Sequence, residues 1–233
     1  MVGSRQPAVG SHKGRVQIFY LHGFASSPQS SKAQFLSARL SDMGRQLHCP
    51  DFNQPEFSTL TVSRMLLQLE ECLAALPPDE TVLIGSSLGG FVAVEAARRQ
   101  LGGGIHPIMR LVLLAPAIEL EWDRWSEIGP GGIDQWRRDG SIEVFHYADD
   151  RPQRLKFAFY EDAVRYEPAS ARLSLPMVIF QGRQDETVDP ANVEQFARAQ
   201  TNATLYLLED EHQLKNSLDF IWDKTAGFLI PNP

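Results

Sequence analysis

Thr81-Val82-Leu83-Ile84-Gly85-Ser86-Ser87-Leu88-Gly89-Gly90-Phe91-Val92-Ala93-Val94 is the stretch on which the fold turns. It passes from an apolar, β-branched run through a glycine-rich turn into an alanine-rich helical run that stops at Gly102-Gly103-Gly104. Gly85 to Gly89 fits the pattern G-x-S-x-G with Ser87 at its centre. The five-residue pattern is weak alone. Between a strand and a helix it describes a tight, strained turn that exposes the serine hydroxyl, and Gly85 and Gly89 leave room for crossing backbones. The plain alternative is a glycine-rich turn capped by serine. A phosphate cradle is disfavoured, because neither G-x-x-x-x-G-K-[ST] nor G-x-G-x-x-G spacing is present.

The flanking chain repeats the strand–helix rhythm. Val16 to Leu21, Gln46 to Cys49, Thr81 to Gly85, Arg110 to Ala115, Met177 to Gln181 and Thr204 to Leu208 read as strands. Amphipathic runs lie at Ser31–Met43, Leu60–Leu76, Leu88–Leu101 and Ser217–Leu229, and Asp189-Pro190 opens another helix as N-cap and first residue. Strands apolar throughout indicate a sheet covered on both faces. The fold class is α/β, a doubly wound sheet of about six mainly parallel strands.

One interval breaks the rhythm. Residues 117–175 separate two core strands and hold Trp122, Trp125 and Trp136 with several Phe and Tyr. Connections usually take about 2–6 residues, so this interval reads as a helical lid over the sheet. The expected organisation is a tail at 1–15, a core at 16–116 and 176–233, and a lid at 117–175. Trp122 and Trp125 are candidates for a pocket holding an apolar or aromatic group, although packing alone accounts for many such tryptophans.

A serine nucleophile needs a base. Of His12, His22, His48, His106, His146 and His212, only His212 lies between the last strand and the final helix. In a parallel sheet that loop emerges at the carboxyl edge, where Ser87 is also displayed. The imidazole needs a carboxylate to set its tautomer. Asp185, in Gln181-Gly182-Arg183-Gln184-Asp185, follows a strand at the same edge, whereas nearby Asp189 is accounted for as an N-cap. The order Ser87, Asp185, His212 is the Ser…Asp…His order of one hydrolase class. The expected oxyanion donors are the backbone N–H groups of Leu88 and of Phe24 in His22-Gly23-Phe24.

Composition narrows the partners. With 22 Lys and Arg against 29 Asp and Glu, the formal charge is −7, which opposes non-specific nucleic-acid binding. No run approaches a membrane span, and the N-terminal segment lacks the apolar core of a secretory signal. A cytoplasmic protein is expected, with Cys49 and Cys72 reduced and in no metal-site spacing. Neither metal nor organic cofactor is called for, and no nucleic-acid or membrane partner.

The stretches IFYLHGFASSPQSSKA, GSSLGG, GRQDETVD and EDEHQL together resemble the α/β-hydrolase superfamily. The YLHGF-x-SSP opening is similar to the compact YqiA/YcfP-like bacterial esterases. The resemblance implies Ser87 as nucleophile, Asp185 as acid, His212 as base, and Phe24 and Leu88 as oxyanion donors. The expected substrate is a small-molecule carboxylic ester. Thioester hydrolysis, C–C bond hydrolysis or perhydrolysis on the same triad, and a non-enzymatic binder on the hydrolase scaffold stand as alternatives.

Overall fold

Side chains alternate between the two faces of a strand, so a strand apolar throughout must be covered on both. The computed structural model describes residues 16–125 and 128–230, so the expected tail at 1–15 lies outside the described residues. In chain order the strands are β1 (Val16–Leu21), β2 (Leu47–His48), β3 (Glu80–Ser86), β4 (Ile108–Leu114), β5 (Ser141–His146), β6 (Arg151–Lys156), β7 (Met177–Gly182) and β8 (Ala203–Leu208). The helices are α1 (Ser31–Asp42), α2 (Val62–Ala74), α3 (Leu88–Arg98), α4 (Gly132–Asp139), α5 (Ala158–Ala163), α6 (Pro190–Arg198) and α7 (Leu218–Leu229).

Six strands form one sheet in the order β2-β1-β3-β4-β7-β8, and every neighbouring pair is parallel. On one face Phe19, Leu21, Leu83, Leu111, Leu113 and Ile179 join α2, α3 and α6 in a core. On the other, Ile18, Tyr20, Val82, Ile84, Val112 and Phe180 pack with α1 and α7. Local chemistry starts the helices as the sequence indicates. Ser30 caps α1 and Thr61 caps α2, while the Asp189 carboxylate accepts the Ala191 N–H at 2.8 Å ahead of Pro190.

Strand order reverses between β1 and β3. The connection from β1 runs outward to β2, and the chain returns on the other side to form β3. Loops at the carboxyl ends of these two strands therefore diverge and leave a crevice, the usual place for a ligand in an open α/β sheet. The HG loop after β1 and the Ser87 turn after β3 both lie there.

The long interval between β4 and β7 differs from the helical lid expected. It holds the short helices α4 and α5, but β5 and β6 pair within it as an antiparallel hairpin. The signal was present in Ile142-Glu143-Val144-Phe145-His146, where Val144 and His146 are buried while Glu143 and Phe145 are exposed. The charged partner strand, Arg151-Pro152-Gln153-Arg154-Leu155-Lys156, obscures that alternation. Trp136 is fully buried in this insertion, and its indole N–H donates to the Leu155 carbonyl at 3.3 Å.

Candidate active site

Ser87 stands between β3 and α3 with φ 52° and ψ −119°, a left-handed conformation unusual for a residue with a side chain. The turn persists because its surroundings over-determine it. Ser87 N–H donates to the Leu114 carbonyl at 3.0 Å, and the Ser87 carbonyl accepts the N–H groups of Gly90, Phe91 and Ala117. A β-carbon on Gly85 would stand 2.5 Å from the Gly89 carbonyl oxygen, so this crossing requires glycine. Gly90, not singled out in the sequence, is similarly pressed against Pro116, where a β-carbon would meet its Cβ at 2.7 Å.

The structure brings the three expected side chains together. Ser87 Oγ lies 3.0 Å from His212 Nε2, and His212 Nδ1 lies 2.8 Å from Asp185 Oδ2. Both bonds form in the tautomer that carries its proton on Nδ1, leaving Nε2 to accept from the serine. Asp185 is buried, and all its capacity is used: Gln181 Nε2 donates to Oδ2 at 2.8 Å, and the Thr187 and Val188 N–H groups donate to Oδ1, each at 2.9 Å. Burial by itself raises the pKa of this carboxyl. The hydrogen bond and charge of His212, then the Val188 N–H and Gln181, outweigh burial and hold it below the usual carboxylate range. Its rivals are elsewhere: Glu186 is exposed, and Asp189 caps α6.

Two loops must meet for His212 to reach Asp185. Gly182 permits it, because a β-carbon there would stand 2.4 Å from the Asp210 carbonyl oxygen. Close approach of the neighbouring loop is what requires glycine here. Asp210 then folds the histidine loop upon itself, accepting from the Asn216 N–H at 3.0 Å and from the Ser217 hydroxyl at 2.8 Å. Neither Gln181 nor Asp210 was legible as a supporting residue, since each acts through a fold contact.

The HG loop lies directly against Ser87. A β-carbon on Gly23 would approach Ser87 Cβ at 3.1 Å, which puts the following residue, Phe24, at the same rim. Leu88 is the first residue of α3, where a backbone N–H has no intrahelical acceptor. His22 is buried and supports the loop: Phe52 N–H donates to its Nε2 at 3.0 Å, and its Nδ1 lies 2.9 Å from the Gly23 carbonyl. His48 stacks on Phe19, and His146 Nε2 lies 3.2 Å from Asn53 Oδ1. His106 is buried away from this set, and His12 lies outside the described residues.

The insertion reaches two loops of this edge, the one after β1 and the one after β7. Trp125 packs on Phe24 with ring centroids 5.0 Å apart, and Arg124 Nη2 donates to the Glu186 carbonyl at 3.1 Å. Trp122 lies behind Trp125 at 5.1 Å. These tryptophans line a cavity of about 510 Å³ with Leu120, Ile128, Ile133 and Tyr160; Ser87 is not among its lining residues. Trp125, which lines the cavity, thus touches Phe24, the residue after Gly23. Cys49 and Cys72 are free thiols. Among the described residues, no three His, Cys, Asp or Glu side chains gather to hold a metal ion, and no helix is long and apolar enough to cross a membrane.

A parallel sheet with Ser87 on a strained strand–helix turn, followed by Asp185 and His212 on later loops of one edge, defines the α/β-hydrolase fold. A model described as "Uncharacterised protein family (UPF0227)" matches residues 17–227, and the chain belongs to that family. No curated protein sequence matches the chain.

Solved structures share its architecture at low identity. Alpha/beta hydrolase domain-containing protein 10 from mouse is 17% identical, with a TM-score of 0.74 over 93% of this chain and 91% of that one. Est1E from Butyrivibrio proteoclasticus, with ferulic acid bound, is 17% identical, with a TM-score of 0.72 over 93% of this chain and 88% of that one. A metagenome-derived structure reported with the lipolytic enzymes LipS and LipT is 19% identical, with a TM-score of 0.71 over 93% of this chain and 94% of that one.

Proposed function

We propose that this chain is a serine hydrolase that cleaves a small-molecule carboxylic ester through an acyl-enzyme on Ser87. The observation that carries the reading is the unbroken chain Ser87 Oγ to His212 Nε2 to Asp185, at 3.0 and 2.8 Å. His212 accepts the Ser87 proton as Oγ attacks the carbonyl carbon. Asp185, held ionised, fixes the imidazole and stabilises its charged form. The negative oxygen of the tetrahedral intermediate is received by the N–H groups of Leu88 and Phe24, each worth roughly 2.7–4 kcal/mol in such sites.

His212 then gives its proton to the departing alkoxide as the C–O bond breaks. Water attacks the acyl-enzyme with the same imidazole as base, and Ser87 is released with the acid. The insertion at 117–175 caps the crevice, and the aromatic cavity beside Trp122 and Trp125 takes an apolar or aromatic part of the ester. The fold relatives include proteins described as lipolytic, which supports ester chemistry for this site.

The test is steady-state hydrolysis of p-nitrophenyl esters of graded acyl length, with Ser87→Ala beside the parent. The variant should lose about 10⁶-fold in kcat, and a fluorophosphonate should label the parent at Ser87. Parental rates in the variant would overturn the reading.

A further inference from the structure

The serine-rich continuation of the HG loop ends at Lys32, a residue with no part in the steps above. Lys32 sits in the first turn of α1 and is only 6% exposed, uncommon for a lysine. Its Nζ donates to the main-chain carbonyl of Gln213 at 3.1 Å. The helix that follows β1 thereby grips the residue next to His212. The charged groups that act on Lys32 come from two other loops. The Asp185 carboxylate lies on the loop after β7, and Asp210 and Lys215 lie on the loop after β8. The two carboxylates draw the ammonium in. Burial, the larger influence, and Lys215 oppose it, and its pKa falls to about 8.

Asp210 fastens the histidine loop to itself, whereas Lys32 fastens it to α1, the helix that follows the HG loop. We propose that Lys32 is a positioning residue for His212, its ammonium holding the Gln213 carbonyl so that the imidazole stays between Ser87 and Asp185. The proposal rests on the reading of Ser87 and His212 as a catalytic pair. Once neutral, the amine is a weaker donor and loses its attraction to Asp185 and Asp210, so the rate falls as Lys32 sheds its proton. Its lowered folded-state pKa also has a stability consequence. The protein gains stability as pH rises from about 8 toward the ordinary lysine value, so the charged form is kept at neutral pH at a cost to the fold.

The test is kcat/KM for p-nitrophenyl acetate, corrected for spontaneous hydrolysis, from about pH 6 to 10. It compares the parent with Lys32→Arg and Lys32→Met, each checked for folding by thermal unfolding. The parent should lose activity with a midpoint near 8. Lys32→Arg should move that limb up by at least about one pH unit, since a guanidinium keeps its charge. Lys32→Met should be folded, about tenfold slower at neutral pH, and without the limb.

A flat parent profile, or a limb unchanged in Lys32→Arg, overturns the proposal even if Lys32→Met fails to fold. So does a folded Lys32→Met with parental rate. If the parent is labelled by fluorophosphonate and hydrolyses the ester while the variants keep its profile, only the role of Lys32 fails. An unlabelled, inactive parent removes the catalytic reading together with it.

Discussion

Gly89 lies against the Leu21 carbonyl so closely that a β-carbon on it would stand 1.9 Å from the oxygen. Leu21 closes β1 and Gly89 belongs to the first turn of α3, so this contact sets the spacing between the HG loop and Ser87. Gly89→Ala must push one of them away. Overpacking of this kind costs about 1–3 kcal/mol or more. Urea unfolding should show the loss, and hydrolysis by the folded fraction should fall as well. An unchanged midpoint with full activity would refute the contact.

Asp185 gives a pH dependence with a definite sign. Its folded-state pKa lies below the ordinary value of 3.8, so the ionised carboxylate stabilises the fold above that pH. The contribution is lost as pH falls through the lower folded value. Asp185→Asn should therefore flatten the stability profile in this acid range, measured as the urea midpoint at successive pH values. It should also lower kcat by about 10⁴-fold, the scale seen when a triad acid becomes an amide.

In the proposed mechanism Ser87 and His212 act on one proton, so their effects should not add. Removing either should cost nearly as much as removing both. Turnover by Ser87→Ala, His212→Ala and the double variant measures this. A double variant whose loss is the product of the single losses would mean that the two side chains work independently.

The insertion's tryptophans should separate by burial. Trp136 is fully buried and bonded to the Leu155 carbonyl, so Trp136→Ala should cost about 3–5 kcal/mol in unfolding free energy. Trp125 is half-buried on Phe24 beside the cavity. Trp125→Ala should raise KM for aromatic esters by about 10-fold or more, with a smaller change for acetate. Equal effects on all acyl groups would argue that Trp125 only packs.

Local pattern carried much of this protein. The apolar run into Gly85-Ser86-Ser87-Leu88-Gly89 marks a strand, a strained turn and a helix because each depends on neighbours a few residues away. The order of Ser87, Asp185 and His212 followed from the same logic, since loops after parallel strands must emerge at one edge. The β5–β6 hairpin escaped because its second strand is charged and gives no clear alternation.

Tertiary structure alone decided the rest. The separation of Asp185 from Glu186 depends on Gly182 letting the histidine loop approach, and the Lys32 ammonium meets the carbonyl of Gln213, distant in sequence. Neither contact leaves a periodic trace, because long-range packing is set by how whole elements meet. Hydrophobic period and turn chemistry specify each element and the edge on which its loop lies. Which side chains touch across that edge is settled only when the sheet and its helices close together.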